Sequence, residues 1–260
     1  MLRHNLIPQH AGRGFRWRGG EIARIEGLSD AVFAFAVTLL VVSLEVPKTF
    51  NELAVIMRGF TSFAICFALL MRVWYEQYVF FRRYNMQDTV TVVLNAILLF
   101  VVLFYVYPLK FLFSFLVNTW TGGSKSLPMP GGGFETIIET RQMPELMAIF
   151  SGGYLAVSCI FLLLFYRARR RRTELELNPL EVLETGASIG ASVINAATAL
   201  ASLAIALLAG PGNGALAGVI YPILLCPGFT IFYTVMGRKK RLLENASAAR
   251  DQQSAGSPVA

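Results

Sequence analysis

Long apolar runs, each bounded by charges, prolines or glycines, set the pattern of this chain. They lie at 28–46, 54–80, 90–115, 146–166, 187–209 and 216–236. A helix needs about 20 predominantly apolar residues to cross the hydrocarbon core of a bilayer, and each run meets that length. Within the runs the apolar residues are continuous and do not alternate with polar ones, which argues against a transmembrane barrel. The expected fold is therefore all-α, a polytopic membrane protein with six transmembrane helices. Residues 1–26 read as a basic N-terminal segment, 27–241 as the six-span domain and 242–260 as a small, polar tail expected to be disordered. The stretch before Gly27 has no apolar h-region, so it is expected to stay uncleaved with the first span as anchor.

Composition agrees with this pattern. The 260 residues are 55% hydrophobic and only 15% charged, with a mean hydropathy of +0.56; soluble domains carry about a quarter charged residues. A net charge of +7 on a soluble protein would suggest nucleic acid. Here the basic residues sit in short clusters between apolar runs, so the expected partner is the lipid bilayer and not nucleic acid. Seventeen of the 23 Lys and Arg fall in alternate segments: the N-terminus, Arg82–Arg83, 167–172 and the tail from Arg238. That bias predicts a multi-pass plasma-membrane protein with both termini cytoplasmic. The acidic stretch 174–184 follows five arginines and reads either as a short helix held by local ion pairs or as a solvated segment. In the fifth run Gly186 and Gly190 suit close helix approach, between subunits or within one. In the sixth, Pro222 and Pro227 are expected to kink or break the helix.

Little in the chain carries chemistry. It has no phosphate-binding glycine loop, no nucleophile elbow and no zinc-protease motif. Its two histidines, His4 and His10, lie in the basic N-terminus. Cys66, Cys159 and Cys226 all fall in apolar runs at a spacing that suits neither a metal nor a disulfide framework. No catalytic residue, metal site or cofactor is expected, and the protein reads as a non-enzyme. The exception to the apolar monotony is a group of polar residues at similar depth in the first three runs: Arg24, Ser29 and Asp30, then Arg72, Trp74 and Glu76, then Asn95. Such groups are costly in a membrane unless paired. They read as an interhelical clamp, with Arg24 or Arg72 against Asp30 and Trp74 or Asn95 as hydrogen-bond donors. Direct contact with a transported solute is the alternative.

The run Arg24-x-x-x-Leu28-Ser29-Asp30, followed by Ala31 to Leu40, resembles the RxxxFSD motif that opens the first helix of the transmembrane protein 175 family of potassium channels. Trp74 and Glu76 with Phe80 to Arg83 are similar to the end of that family's second helix. Leu94-Asn95 and Tyr107-Pro108 are similar to its third. The resemblance spans roughly residues 20–115. It implies a homotetramer whose first helices line a central pore, without the carbonyl-lined filter of ordinary potassium channels. It also implies a hydrophobic constriction five residues after the motif aspartate and a threonine three residues further on, here Phe35 and Thr38. The residues allow this, because Phe35, Thr38, Leu39 and Val42 share one helical face. Ordinary packing of that face is the plain alternative.

Potassium or other monovalent cations would be the permeant species, and no cofactor is implied. Three departures matter: Leu28 stands for the motif Phe, Ala31 for a common Gly, and Phe35 for the usual Ile or Leu. The last bears directly on conductance. A secondary transporter and a non-conducting membrane scaffold are the two other function classes the sequence admits.

Overall fold

The computed structural model describes residues 15–20, 22–42, 48–50, 53–54, 57, 59–122, 126–128, 134–208, 210 and 214–255. Among the described residues six long helices dominate: α1 Arg24–Val42, α2 Phe60–Tyr84, α3 Thr89–Trp120, α4 Met143–Arg170, α5 Pro179–Leu208 and α6 Gly214–Ala255. Between α3 and α4 lie two short antiparallel strands, β1 Ser126–Pro128 and β2 Phe134–Thr136, with Leu127 opposite Glu135. A 3-10 turn, Thr140–Gln142, leads into α4.

Among the described residues, five helical stretches are long and apolar enough to cross a membrane: Phe60–Tyr84, Thr89–Trp120, Thr140–Arg170, Pro179–Leu208 and Leu216–Leu243. The sixth helix, α1, is the shortest at 19 residues and carries Arg24, Glu26 and Asp30 in its first two turns.

The helices pack in two groups joined where α3 meets α4. In the first, α1 rests on α2 and α3; in the second, α4, α5 and α6 pack on one another. The main core joins them, with Phe33 and Leu40 of α1, Phe80 and Phe81 of α2, Leu98 and Val102 of α3, and Phe161 and Phe165 of α4 all buried. Small residues set the closest approaches. A Cβ on Gly153 would overlap the Tyr105 ring, and one on Gly190 would stand 2.5 Å from Phe232. Gly186 meets Arg169 in the same way. The small-residue pair of the fifth run therefore serves packing within one subunit.

One end of the bundle is tied by ions. Arg18, on the segment before α1, pairs with buried Glu181 at 2.7 Å and donates to the Leu175 carbonyl. Asp88, between α2 and α3, holds Arg167 at 2.6 Å and Arg171 at 3.2 Å. Glu184 holds Lys240 at 2.7 Å and Arg83 at 3.4 Å. The N-terminal segment, both connections and the start of the tail thus meet at one face, as the charge pattern requires. Glu181 and Glu184 belong to α5 itself, and their partners are distant in sequence, so neither a locally paired short helix nor a solvated stretch describes them. Below this face, Asn85 ends α2 in the left-handed conformation (φ 48°) with its N–H on the Phe81 carbonyl, the ordinary αL stop.

Helix α6 differs from expectation at two places. It does not break at Pro222 or Pro227, since packing on α4 and α5 holds it where a missing N–H alone would interrupt it. It also continues to Ala255, so the stretch expected to be a disordered tail is helical that far; residues 256–260 lie outside the described residues.

Candidate functional site: the first helix and its clamp

Helix α1 has two unlike faces. Ser29, Phe33, Ala36 and Leu40, spaced four, three and four apart, are buried against α2 and α3. The opposite face carries Leu28, Ala31, Phe35, Thr38 and Val41, and the described residues of its own chain leave it uncovered. Phe35 is 56% exposed. Leu39 lies at the border, half-buried against the core; Val42 closes the helix, and its side chain lies outside the described residues. The Thr38 hydroxyl donates to the Ala34 carbonyl at 2.9 Å. Its only proton is thereby used, and the oxygen keeps acceptor capacity on the open face.

The clamp holds the buried face by a directed relay across three helices. Gln77 Nε2 donates to Asn95 Oδ1 at 2.5 Å. Asn95 Nδ2 donates to Ser29 Oγ at 3.0 Å, and Ser29 passes its proton to the Ile25 carbonyl at 2.7 Å. All three side chains are buried. Beside them Trp74 Nε1 donates to Asp30 Oδ1 at 2.7 Å, a charge-assisted bond between α2 and α1. At the far end Lys110 of α3 donates to the Leu40 carbonyl at 2.7 Å. That carbonyl belongs to the last described turn of α1, the part of a helix where basic side chains cap carbonyls. Both ends of α1 are therefore anchored through one face, and the other face stays free.

Of the residues singled out in the sequence, the structure brings Ser29 to Asn95 and Asp30 to Trp74. It does not bring either arginine to Asp30. Arg24 is exposed, and among the described residues no ion pair joins it to Asp30; Arg72 instead faces Glu76 one turn along α2, at 4.0 Å. The partner of Asn95 on α2 is Gln77, one residue after Glu76, and at a helical offset of 100° per residue this turns the amide towards α3. Gln77 carried no charge to attract notice; its spacing of seven from Leu70, also buried, was the readable signal. Lys110 lies within the third apolar run, and its capping role needs the three-dimensional approach of α3 to α1. Among the described residues, no group of three or more His, Cys, Asp or Glu gathers as a metal site.

A bundle of long apolar helices, cross-tied by buried polar side chains and closed at one face by ion pairs, is a polytopic membrane protein. Comparison with known proteins gives its family. A profile described as endosomal/lysosomal potassium channel TMEM175 matches residues 24–105. A protein named potassium channel from Marivirga tractuosa is 40% identical over 242 residues, covering 88% of this chain and 93% of that one. A crystal structure of a variant of the potassium channel MtTMEM175, bound to a nanobody–MBP fusion protein, superposes with a TM-score of 0.74 at 37% identity, over 87% of this chain and 98% of the other. A TMEM175 homologue from Chamaesiphon minutus shares the fold, at a TM-score of 0.51 and 21% identity over 82% of this chain and 96% of that one. The chain belongs to the TMEM175 potassium-channel family.

Proposed function

We propose that this protein is a potassium channel whose first helix lines the ion path. The single observation that carries the reading is the two-faced α1: anchored at both ends through Ser29, Asp30 and Leu40, and open along Leu28, Ala31, Phe35, Thr38 and Val41. A membrane helix fixed on one side and bare on the other needs a second surface. Copies of itself around an axis supply one, and a homotetramer is the assembly the family resemblance implies. All six helices then span, and the ion-paired face lies in the cytoplasm of a plasma-membrane protein. In that arrangement Phe35, with Leu39 and Val42, forms an apolar throat able to gate by dewetting. Thr38 forms a ring of hydroxyl oxygens that replaces part of a cation's hydration shell. The clamp residues Ser29, Asp30, Trp74 and Asn95 position that wall, and Glu76 and Arg72 balance each other's charge beside it.

The names of the relatives support potassium as the permeant ion. Phe35 puts a ring where the family usually has Ile or Leu, so potassium-selective and weakly cation-selective conduction are both within this reading. The test is potassium and sodium flux into liposomes holding the purified protein. Flux of potassium is expected, Phe35→Ala raises it, and Thr38→Val lowers the potassium-to-sodium ratio. No flux from protein that assembles as a tetramer, with or without Phe35→Ala, sinks the reading and leaves a non-conducting scaffold.

A further inference from the structure

At the ion-paired face a cavity of about 800 Å³ opens between the end of α4, the start of α5 and α6. Arg169, Arg172 and Lys239 line it together with apolar Leu177, Leu183 and Met236. The other cations of this face either lie outside the lining or are already neutralised. Arg18, Arg83, Arg167, Arg171 and Lys240 each meet a carboxylate. Among the described residues no carboxylate pairs with Arg169, Arg172 or Lys239. The acid on the lining, Glu176, already faces Arg16 at 3.6 Å. Arg169 is built into the wall: its Nη1 donates to the Val182 carbonyl at 3.2 Å, and it lies against Gly186, where a Cβ would stand 2.9 Å away. That bond uses one of five guanidinium N–H donors.

The position of the cavity points to its occupant. Along the membrane-spanning part of α6, Leu216–Leu243, no residue of the most apolar window is buried, so α6 borders lipid up to the cavity. There the cations stand where apolar helix gives way to charge, at headgroup depth. Met236, three residues before Lys239 on α6, lines the cavity on the side of the apolar run. We propose that this cavity binds an anionic phospholipid of the adjoining leaflet, its phosphate between Arg169, Arg172 and Lys239 and an acyl chain leaving past Met236 along the uncovered face of α6. Basic pockets between membrane helices recognise lipid headgroups in this way. The site is separate from the face of α1 and does not depend on what that face conducts.

Native mass spectrometry of the full-length protein in neutral detergent tests the assignment. Phosphatidylglycerol is expected to be retained about tenfold more than phosphatidylcholine of the same chains, given three unneutralised basic groups. Arg172→Gln with Lys239→Gln abolishes the preference, and each change alone lowers it, so the test survives if the double variant assembles poorly. Arg241→Gln, a basic residue outside the cavity lining, leaves the preference intact. Equal retention of the two lipids, or a preference indifferent to Arg172 and Lys239, overturns the proposal. So does full displacement of the lipid by millimolar glycerol phosphate, which would make the cavity a site for soluble phosphate esters.

Discussion

Asn95 is the residue on which the clamp turns, because its amide both accepts from Gln77 and donates to Ser29. Asn95→Leu keeps the branched shape and removes both bonds, stranding the buried Gln77 amide. Interhelical hydrogen bonds in membranes are worth about 0.6–2 kcal/mol, so a loss of that order is expected in thermal unfolding of the purified protein. Gln77→Leu added to Asn95→Leu should recover part of it, since no buried amide is then left unpaired. Asp88 offers a second test, outside the spans. Burial works against its charge, but the Thr91 hydroxyl, Arg167 and Arg171 together hold its carboxyl below the usual range. A carboxyl depressed in the folded state stabilises fully above its unfolded pKa, about 3.9, and loses that contribution as pH falls through the folded value. Unfolding temperature of the wild type should therefore drop on acidification below about pH 4 by more than that of Asp88→Asn. Asp88→Asn should already be lower at neutral pH. Equal acid sensitivity of the two would show that Asp88 contributes nothing through its charge.

At the scale of the helix, close approach is set by glycine. Gly190 on α5 receives the Phe232 ring of α6, and an added methyl forces the ring aside. Overpacking of this kind costs about 1–3 kcal/mol. Gly190→Ala is expected to lower stability by that order, and Phe232→Ala in the same chain should offset much of it. Additive losses in the double-mutant cycle would mean that the two residues do not meet. The apolar runs and their order were readable from the sequence, because length and continuity alone separate spans from loops. Helix ends were not: α5 begins at Pro179, eight residues before its apolar run, because Glu181 and Glu184 are satisfied by Arg18, Arg83 and Lys240 from elsewhere in the chain. The unbroken α6 escaped for a related reason, since neighbours decide whether a proline interrupts a helix. In the clamp, Asp30, Trp74 and Asn95 were legible as costly polar groups at matching depth. Pairing was not, because several donors lay within reach and only geometry selects Trp74 for Asp30 and Gln77 for Asn95.

For the whole molecule the sequence motif, the fold and the relatives converge on the TMEM175 family, and the central claim is that the open face of α1 meets water and ions. Lipid covering that face is the competing arrangement, and its apolar character alone does not separate the two. Substituted cysteines do. The native cysteines are buried Cys66, half-buried Cys159 and exposed Cys226, so Cys226→Ala provides the background. Phe35→Cys and Thr38→Cys, one at a time, are reconstituted in liposomes, and potassium flux is followed while a charged, membrane-impermeant thiol reagent is added. The account predicts that the reagent blocks flux through both cysteine variants and spares the Cys226→Ala background. Flux that persists in both, while a lipid-soluble maleimide labels the same positions, would place the face of α1 in the bilayer and contradict it.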